Sequence, residues 1–156
     1  KSVRTMINLA GVYRNQGDFH QAFTLAERAH SLYPDGAEPL FMMATIALEN
    51  GEKGKMRSLL EETLQKAPTF VPALVALGRV CLNDKDFECA KATLEKAVNE
   101  EPRNVRALVS RYALAIANGD VVFARELEHR IEKLAIRDAE YFQLKSRFHI
   151  AIGHRS

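Results

Sequence analysis

VPALVALGRVCLNDKDFECAKATLEKAVNEEP, residues 71–102, contains two apolar-periodic segments separated by a short acidic break. The first carries Leu74, Leu77, Gly78 and Cys81, and the second carries Phe87, Ala90, Leu94 and Ala97. Spacings of three and four put each set on one stripe of an α-helix. Asp86 stands where the second segment begins, and its carboxylate is suited to accept from the amides a helix start leaves unpaired. Pro102 closes the segment, because proline lacks the amide a helix interior needs. The stretch therefore reads as two antiparallel helices joined by a tight turn.

This hairpin recurs along the chain. Pro34, Pro68 and Pro102 fall at intervals of 34 residues, and other columns keep the same interval. Gly17, Gly51 and Gly119 share one column, with Lys85 in place of the glycine; Asp18, Glu52, Asp86 and Asp120 follow directly. The glycines suit the left-handed backbone that ends a first helix. Asp18 with Gln21 three residues later forms a variant of the capping box. Asp35, Thr69 and Asn104 are expected to cap the next unit in the same way. Ala22, Ala90 and Ala124 form a column broken by Met56, and Leu9, Met43 and Leu77 form another. Ala10, Ala44 and Gly78 lie where the first helix must admit the second, which requires small side chains. So many aligned residue types indicate an internal repeat, the feature that governs every later inference.

Composition agrees with an ordinary folded chain: 156 residues, 47% hydrophobic, 8% aromatic and 27% charged. A chain of this length buries roughly 68–70% of its unfolded surface and needs no metal or disulfide to fold. Cys81 and Cys89 are accordingly expected to be unpaired thiols, with Cys81 buried and Cys89 turned outward; a disulfide between them is geometrically possible but disfavoured. The net charge of +2 gives little attraction to nucleic acid or anionic membrane. No apolar run approaches the roughly 18 residues of a membrane span, and no signal-peptide core opens the chain. The first residue is Lys1, which suggests a piece of a longer protein. Localisation stays open: free thiols fit a reducing cytosol slightly better, and an envelope-anchored parent is the less favoured alternative.

The unit Leu74, Leu77, Gly78, Cys81, Asp86, Phe87, Ala90, Leu94, Ala97, Pro102 resembles the tetratricopeptide repeat, a helix–turn–helix of the same length. The resemblance extends over nearly the whole chain. It implies a single all-α domain over 1–156, a right-handed superhelical solenoid of helix pairs. The units fall at about 3–34, 37–68, 71–102 and 105–136, and a C-terminal capping helix at about 138–152. The fourth unit departs from the pattern, with Arg111 and Tyr112 where Leu and Gly are expected. Tyr141, Phe142, Leu144, Phe148 and Ile150, beside Gln143, Lys145, Arg147 and His149, suit a polar-backed cap.

The resemblance further implies that first helices line a concave groove holding a peptide or helix. Projecting them away from their partner helices gives Ile7, Gly11 and Arg14; Phe41, Thr45 and Leu48; Val75, Arg79 and Leu82; and Arg106, Val109, Ala113 and Ile116. An apolar strip edged by arginines marks a partner site for an apolar or amphipathic segment with acidic groups. In a tight superhelix the same side chains would instead pack between neighbouring first helices. Some members bind the acidic tail of heat-shock chaperones through a Lys/Asn clamp. Ile7, Gly11, Met42, Pro72 and Ala76 stand at those positions here, which disfavours that partner.

No constellation supports catalysis. Gly51-Glu52-Lys53-Gly54-Lys55 lacks the spacing of a phosphate loop and reads as a helix junction. His149 and His154 diverge too far around one helix to share a metal. Asn83-Asp84-Lys85-Asp86 lacks the glycine and distal glutamate of a calcium loop. The groove columns lack the recurring polar pairs of a one-base-per-repeat RNA reader. The sequence thus points to a non-catalytic protein-interaction module without cofactor, metal or nucleic acid, acting as scaffold or adaptor. The alternative is self-assembly, with the groove filled by its own chain or a second copy.

Overall fold

The computed structural model describes residues 2–135 and 137–153, and helices are the only regular elements among them. His154 and Ile136 lie outside the described residues. Two compact units divide the chain, Lys1–Leu77 and Gly78–Ser156. The first holds α1 (Val3–Asn15), α2 (Phe19–Leu32), α3 (Ala37–Glu49) and α4 (Lys53–Lys66). The boundary falls within α5 (Val71–Asn83). The second unit continues with α6 (Phe87–Glu100), α7 (Val105–Ala117), α8 (Val121–Lys133) and α9 (Ala139–Gly153). First helices start at Val3, Ala37, Val71, Val105 and Ala139, each 34 residues after the last.

The turns follow the glycine column. Gly17, Gly51 and Gly119 have φ of 79°, 79° and 71°, and Lys85 is forced to 60° in the same column. A side chain in that conformation costs about 1–2 kcal/mol, a cost the glycines avoid. Asp18, Asp86 and Asp120 cap α2, α6 and α8 by accepting from Gln21 N, Cys89 N and Phe123 N at 3.1, 3.2 and 3.0 Å. Asn104 caps α7 in the same way through Ala107 N. Asp35 does not cap α3. The N-cap there is Gly36, without a side-chain bond, and the Asp35 carboxylate pairs instead with Lys66 at 3.4 Å. Thr69 is replaced too, since the first amides of α5 reach the Phe70 carbonyl.

Small side chains set the closeness of each hairpin. Ala10, Ala22, Ala26 and Ala29 are fully buried in the first unit, where α1 packs on α2 and α3. In the second, a Cβ on Gly78 would stand 2.5 Å from Leu94, so only glycine fits against α6. Leu40, Ile46 and Leu60 fill the core of the first unit; Leu94, Leu108, Leu114 and Leu127 fill that of the second. Each such side chain contributes about 1.5–3 kcal/mol of burial.

The fourth repeat accommodates its irregular residues by polar and aromatic pairing. Arg111 is 9% exposed, with its guanidinium 4.8 Å from the Phe123 ring. Burial lowers its pKa, the Glu95 charge opposes the shift, and Arg130 adds to it. Tyr112 is fully buried against Tyr141 and Phe148, at ring separations of 5.5 and 6.0 Å, with its hydroxyl 3.4 Å from Glu128.

The cysteines differ from expectation. Cys81 is buried as anticipated, but it is joined to Cys89 in a disulfide with Cα atoms 5.8 Å apart. The hairpin brings them together: Cys81 lies in the last turn of α5, and Cys89 in the first turn of α6 directly after the Asp86 cap. The disfavoured alternative is thus the one the hairpin adopts, because the tight turn returns Cys89 to the end of α5.

Candidate interaction surface

In the first unit, α1 and α3 position the expected residues by their helical register. Ile7, Gly11, Arg14, Phe41 and Thr45 are half-buried, whereas Leu48 is 52% exposed. Arg14 reaches across to α3, donating to Thr45 Oγ1 at 3.2 Å and pairing with Glu49 at 3.5 Å. The Thr45 hydroxyl in turn donates to the Met42 carbonyl at 2.8 Å. Phe41 lies edge-on to Phe70, with ring centroids 5.5 Å apart. Val75 is buried at 6% exposure and belongs to packing, not to open surface.

In the second unit, Leu82, Ala113 and Ile116 are half-buried and Arg106 is exposed. Val109 is 2% exposed and is a core residue, as a tight approach of first helices requires. Arg79 is engaged by its own chain, its Nη1 lying 2.9 Å from Glu140 Oε2 in the first turn of α9. Arg14 and Thr45 are thus the expected residues shown in direct polar contact. Glu49 and Glu140 were missed. Both are carboxylates on first helices, but their significance depends on which arginine they meet, and that is a tertiary fact.

The strongest electrostatic cluster lies at α8 and α9. Glu128, with a side chain only 11% exposed, approaches His149 Nε2 at 2.8 Å and Lys145 Nζ at 3.2 Å. Lys145 also bonds Glu132. That bond chiefly raises the Lys145 pKa and lowers the Glu132 pKa. Burial is the leading cause that pushes the Tyr141 hydroxyl up to about 12. These groups fasten a helix, since every one of them has its partner within the cluster.

The ligand atoms of Cys81, Asp86 and Cys89 lie within 4.8 Å of one another. Two sulfurs bonded to each other are not thiolate donors, and Asp86 is committed to capping α6. Among the described residues no helix is long and apolar enough to cross a membrane.

Two tetratricopeptide repeat models match the chain, over residues 57–112 and 4–36. No curated protein matches it significantly in sequence. Among solved structures it is similar to PilF of Pseudomonas aeruginosa, with a TM-score of 0.79 at 15% identity, covering 94% of this chain and 67% of that one. It is similar also to MamA residues 41 to the end from Desulfovibrio magneticus RS-1, with a TM-score of 0.80 at 17% identity, covering 97% and 85%. A third similar structure is the first repeat domain of Spaghetti (RPAP3) bound to the HSP90 peptide SRMEEVD. Its TM-score is 0.68 at 15% identity, covering 76% of this chain and 94% of that one. At such identities the likeness is one of fold, an all-α helical-repeat solenoid. Repeats of this kind generally serve as protein–protein interaction modules without catalysis. The 34-residue hairpins, the capped turns and the two matching models together place the chain in the tetratricopeptide repeat family.

Proposed function

We propose that the chain holds a segment of a partner protein, an amphipathic helix or an apolar stretch bearing acidic groups, against its first helices. It thereby serves as a scaffold or adaptor in a complex. The observation that carries this reading is Leu48, 52% exposed and one turn from the Arg14–Thr45 pair. Covering an apolar side chain that stands in water contributes about 25 cal/mol per Å². The neighbouring guanidinium is a directional partner for a carboxylate. Arg106, exposed on α7, supplies the same chemistry in the second unit. Val75 and Val109, being buried, are left out of the contact surface.

The Spaghetti domain shows the same fold with a bound acidic peptide. Ile7, Gly11, Met42, Pro72 and Ala76 replace the clamp residues of chaperone-tail binders, so a more apolar segment is expected here. The test is selection of binding peptides by display, followed by fluorescence anisotropy on variants. Leu48→Glu and Arg106→Glu should each weaken the selected peptides about tenfold or more without lowering the melting temperature. The back-face change Glu95→Lys should leave affinity unchanged. Equal affinities for all three proteins would reject the reading. An oligomer in light scattering that Leu48→Glu dissociates would favour self-assembly instead.

A further inference from the structure

Arg111 occupies a column that carries Leu9, Met43 and Leu77 in the other units, where the repeat asks for an apolar side chain. It is only 9% exposed, yet among the described residues none pairs with its guanidinium by a hydrogen bond or an ion pair. The Phe123 ring lies 4.8 Å away, and Glu95 and Arg130 act on the charge through space with opposite signs. A guanidinium is all donor, and burying it without a counter-charge is costly. Leucine would serve packing better, so the fold alone does not account for this charge. The guanidinium lines a cavity of about 260 Å³ between α6, α7 and α8. Lys91 of α6 adds a second cation to the wall, Asn118 at the end of α7 adds an amide, and Leu114 and Phe123 are apolar. The wall's carboxylate is Asp120, whose Oδ1 already accepts from the Phe123 amide at 3.0 Å. The first unit has a cavity of about 300 Å³ at the matching register, with Asn50 and Glu52 in the columns of Asn118 and Asp120. There the cation is Lys55, which pairs with Glu52 at 3.6 Å and lies over the Phe23 ring. Of these two cavities, the one in the second unit holds a buried cation without a carboxylate.

We infer that this cavity binds a small organic monocarboxylate with an apolar or aromatic body. The planar fork of Arg111 matches a carboxylate through paired N–H···O bonds, and the Asn118 amide offers a further donor. Leu114 and Phe123 receive the apolar body, giving the mix of apolar wall and few polar groups that small-molecule sites share. Charge sets the class of anion. Arg111 and Lys91 against Asp120 leave one net positive charge on the wall, which a single carboxylate neutralises. A phosphate dianion would bring excess negative charge against Asp120. The site is separate from the first-helix surface proposed above, because Lys91 and Phe123 lie on the second helices α6 and α8.

The probe is phenylacetate, titrated into the full chain and followed by amide NMR shifts. Saturable shifts are expected at Leu114, Asn118 and Phe123. Phenylacetamide, which lacks the charge, and inorganic phosphate should each bind about tenfold more weakly or worse. Arg111→Leu restores the apolar residue of the column, so the melting temperature should hold or rise, while affinity for phenylacetate falls about tenfold or more. Lys91→Glu changes an exposed residue and should also weaken binding with the fold intact, which keeps the test decisive even if Arg111→Leu disturbs packing. Leu48→Glu should leave the titration unchanged. Absence of saturable shifts, unchanged binding in either cavity variant, or loss of binding in Leu48→Glu would overturn the inference. So would phenylacetamide or phosphate binding as tightly as phenylacetate, since the apolar wall or a different anion would then define the site.

Discussion

Glu128 and His149 stand 21 residues apart in sequence, yet their carboxylate oxygen and Nε2 are 2.8 Å apart, fastening α9 to α8. In the other units the column of Glu128 carries Ala26, Leu60 and Leu94, all buried. The fourth unit thus holds its neighbour through a carboxylate where the others use apolar packing.

Replacing that carboxylate should loosen α9 selectively. Glu128→Ala removes the shared acceptor of His149, Lys145 and Tyr112, but the first two are partly exposed and can rehydrate. A loss of about 1–2 kcal/mol is expected, below the cost of stranding a fully buried charge. Hydrogen exchange should show it as faster exchange of α9 amides with α1–α4 unchanged. Uniform loss of protection would mean that the chain melts as one unit.

Titration of the aromatic cluster should destabilise the same region at high pH. Burial holds Tyr141 up to about 12 against 10 for a free tyrosine, so folding favours the neutral phenol. The associated stability is fully present below pH 10 and is lost as pH rises toward 12. Absorbance at 295 nm should show Tyr141 ionising in that upper range, and Tyr141→Phe should remove the step. At the acid end Glu132 behaves oppositely. Its lowered pKa gives a contribution that is intact above the ordinary value of 4.5 and lost as pH falls through the folded value.

Lys85 offers a gain in stability. Its φ of 60° places a side chain where the equivalent positions carry glycine. Lys85→Gly should stabilise the chain by about 0.5–1 kcal/mol, the relief of left-handed strain less glycine's extra unfolded freedom. A shift in the urea midpoint at constant slope would show it. An unchanged midpoint would mean that the turn tolerates lysine without cost.

Gly78 offers the reverse. A Cβ there would lie 2.5 Å from Leu94 and 2.9 Å from Thr93 Oγ1. Gly78→Ala should cost about 1–3 kcal/mol by overpacking α5 against α6, outweighing alanine's better helix propensity. A more stable variant, read from the same urea curves, would show that the hairpin opens without penalty.

The hairpins, their turns and most caps were legible because they depend on neighbours within a few residues. Asp18, Asp86 and Asp120 cap helices that begin one residue later, and Gly17, Gly51 and Gly119 need only their own φ. Asp35 does not cap because α3 starts at Ala37, which puts Gly36 at the N-cap and leaves Asp35 one residue too early. The Cys81–Cys89 disulfide was disfavoured because a helical wheel shows where a side chain points along one helix, not what the returning helix brings to meet it.

The sequence by itself determined the repeat: a 34-residue period of apolar stripes, small residues at helix contacts and punctuation at each turn fixes all-α hairpins through local forces. Tertiary structure alone decided which side chains of those stripes remain in water. Val75 and Val109 share a column with Ile7 and Phe41 but are buried, while Leu48 and Phe142 stay exposed. It also decided which charges are already taken, giving Arg14 to Glu49 and Arg79 to Glu140. The physical reason is range. Periodicity repeats one local solution, whereas exposure and pairing depend on the neighbour each helix meets.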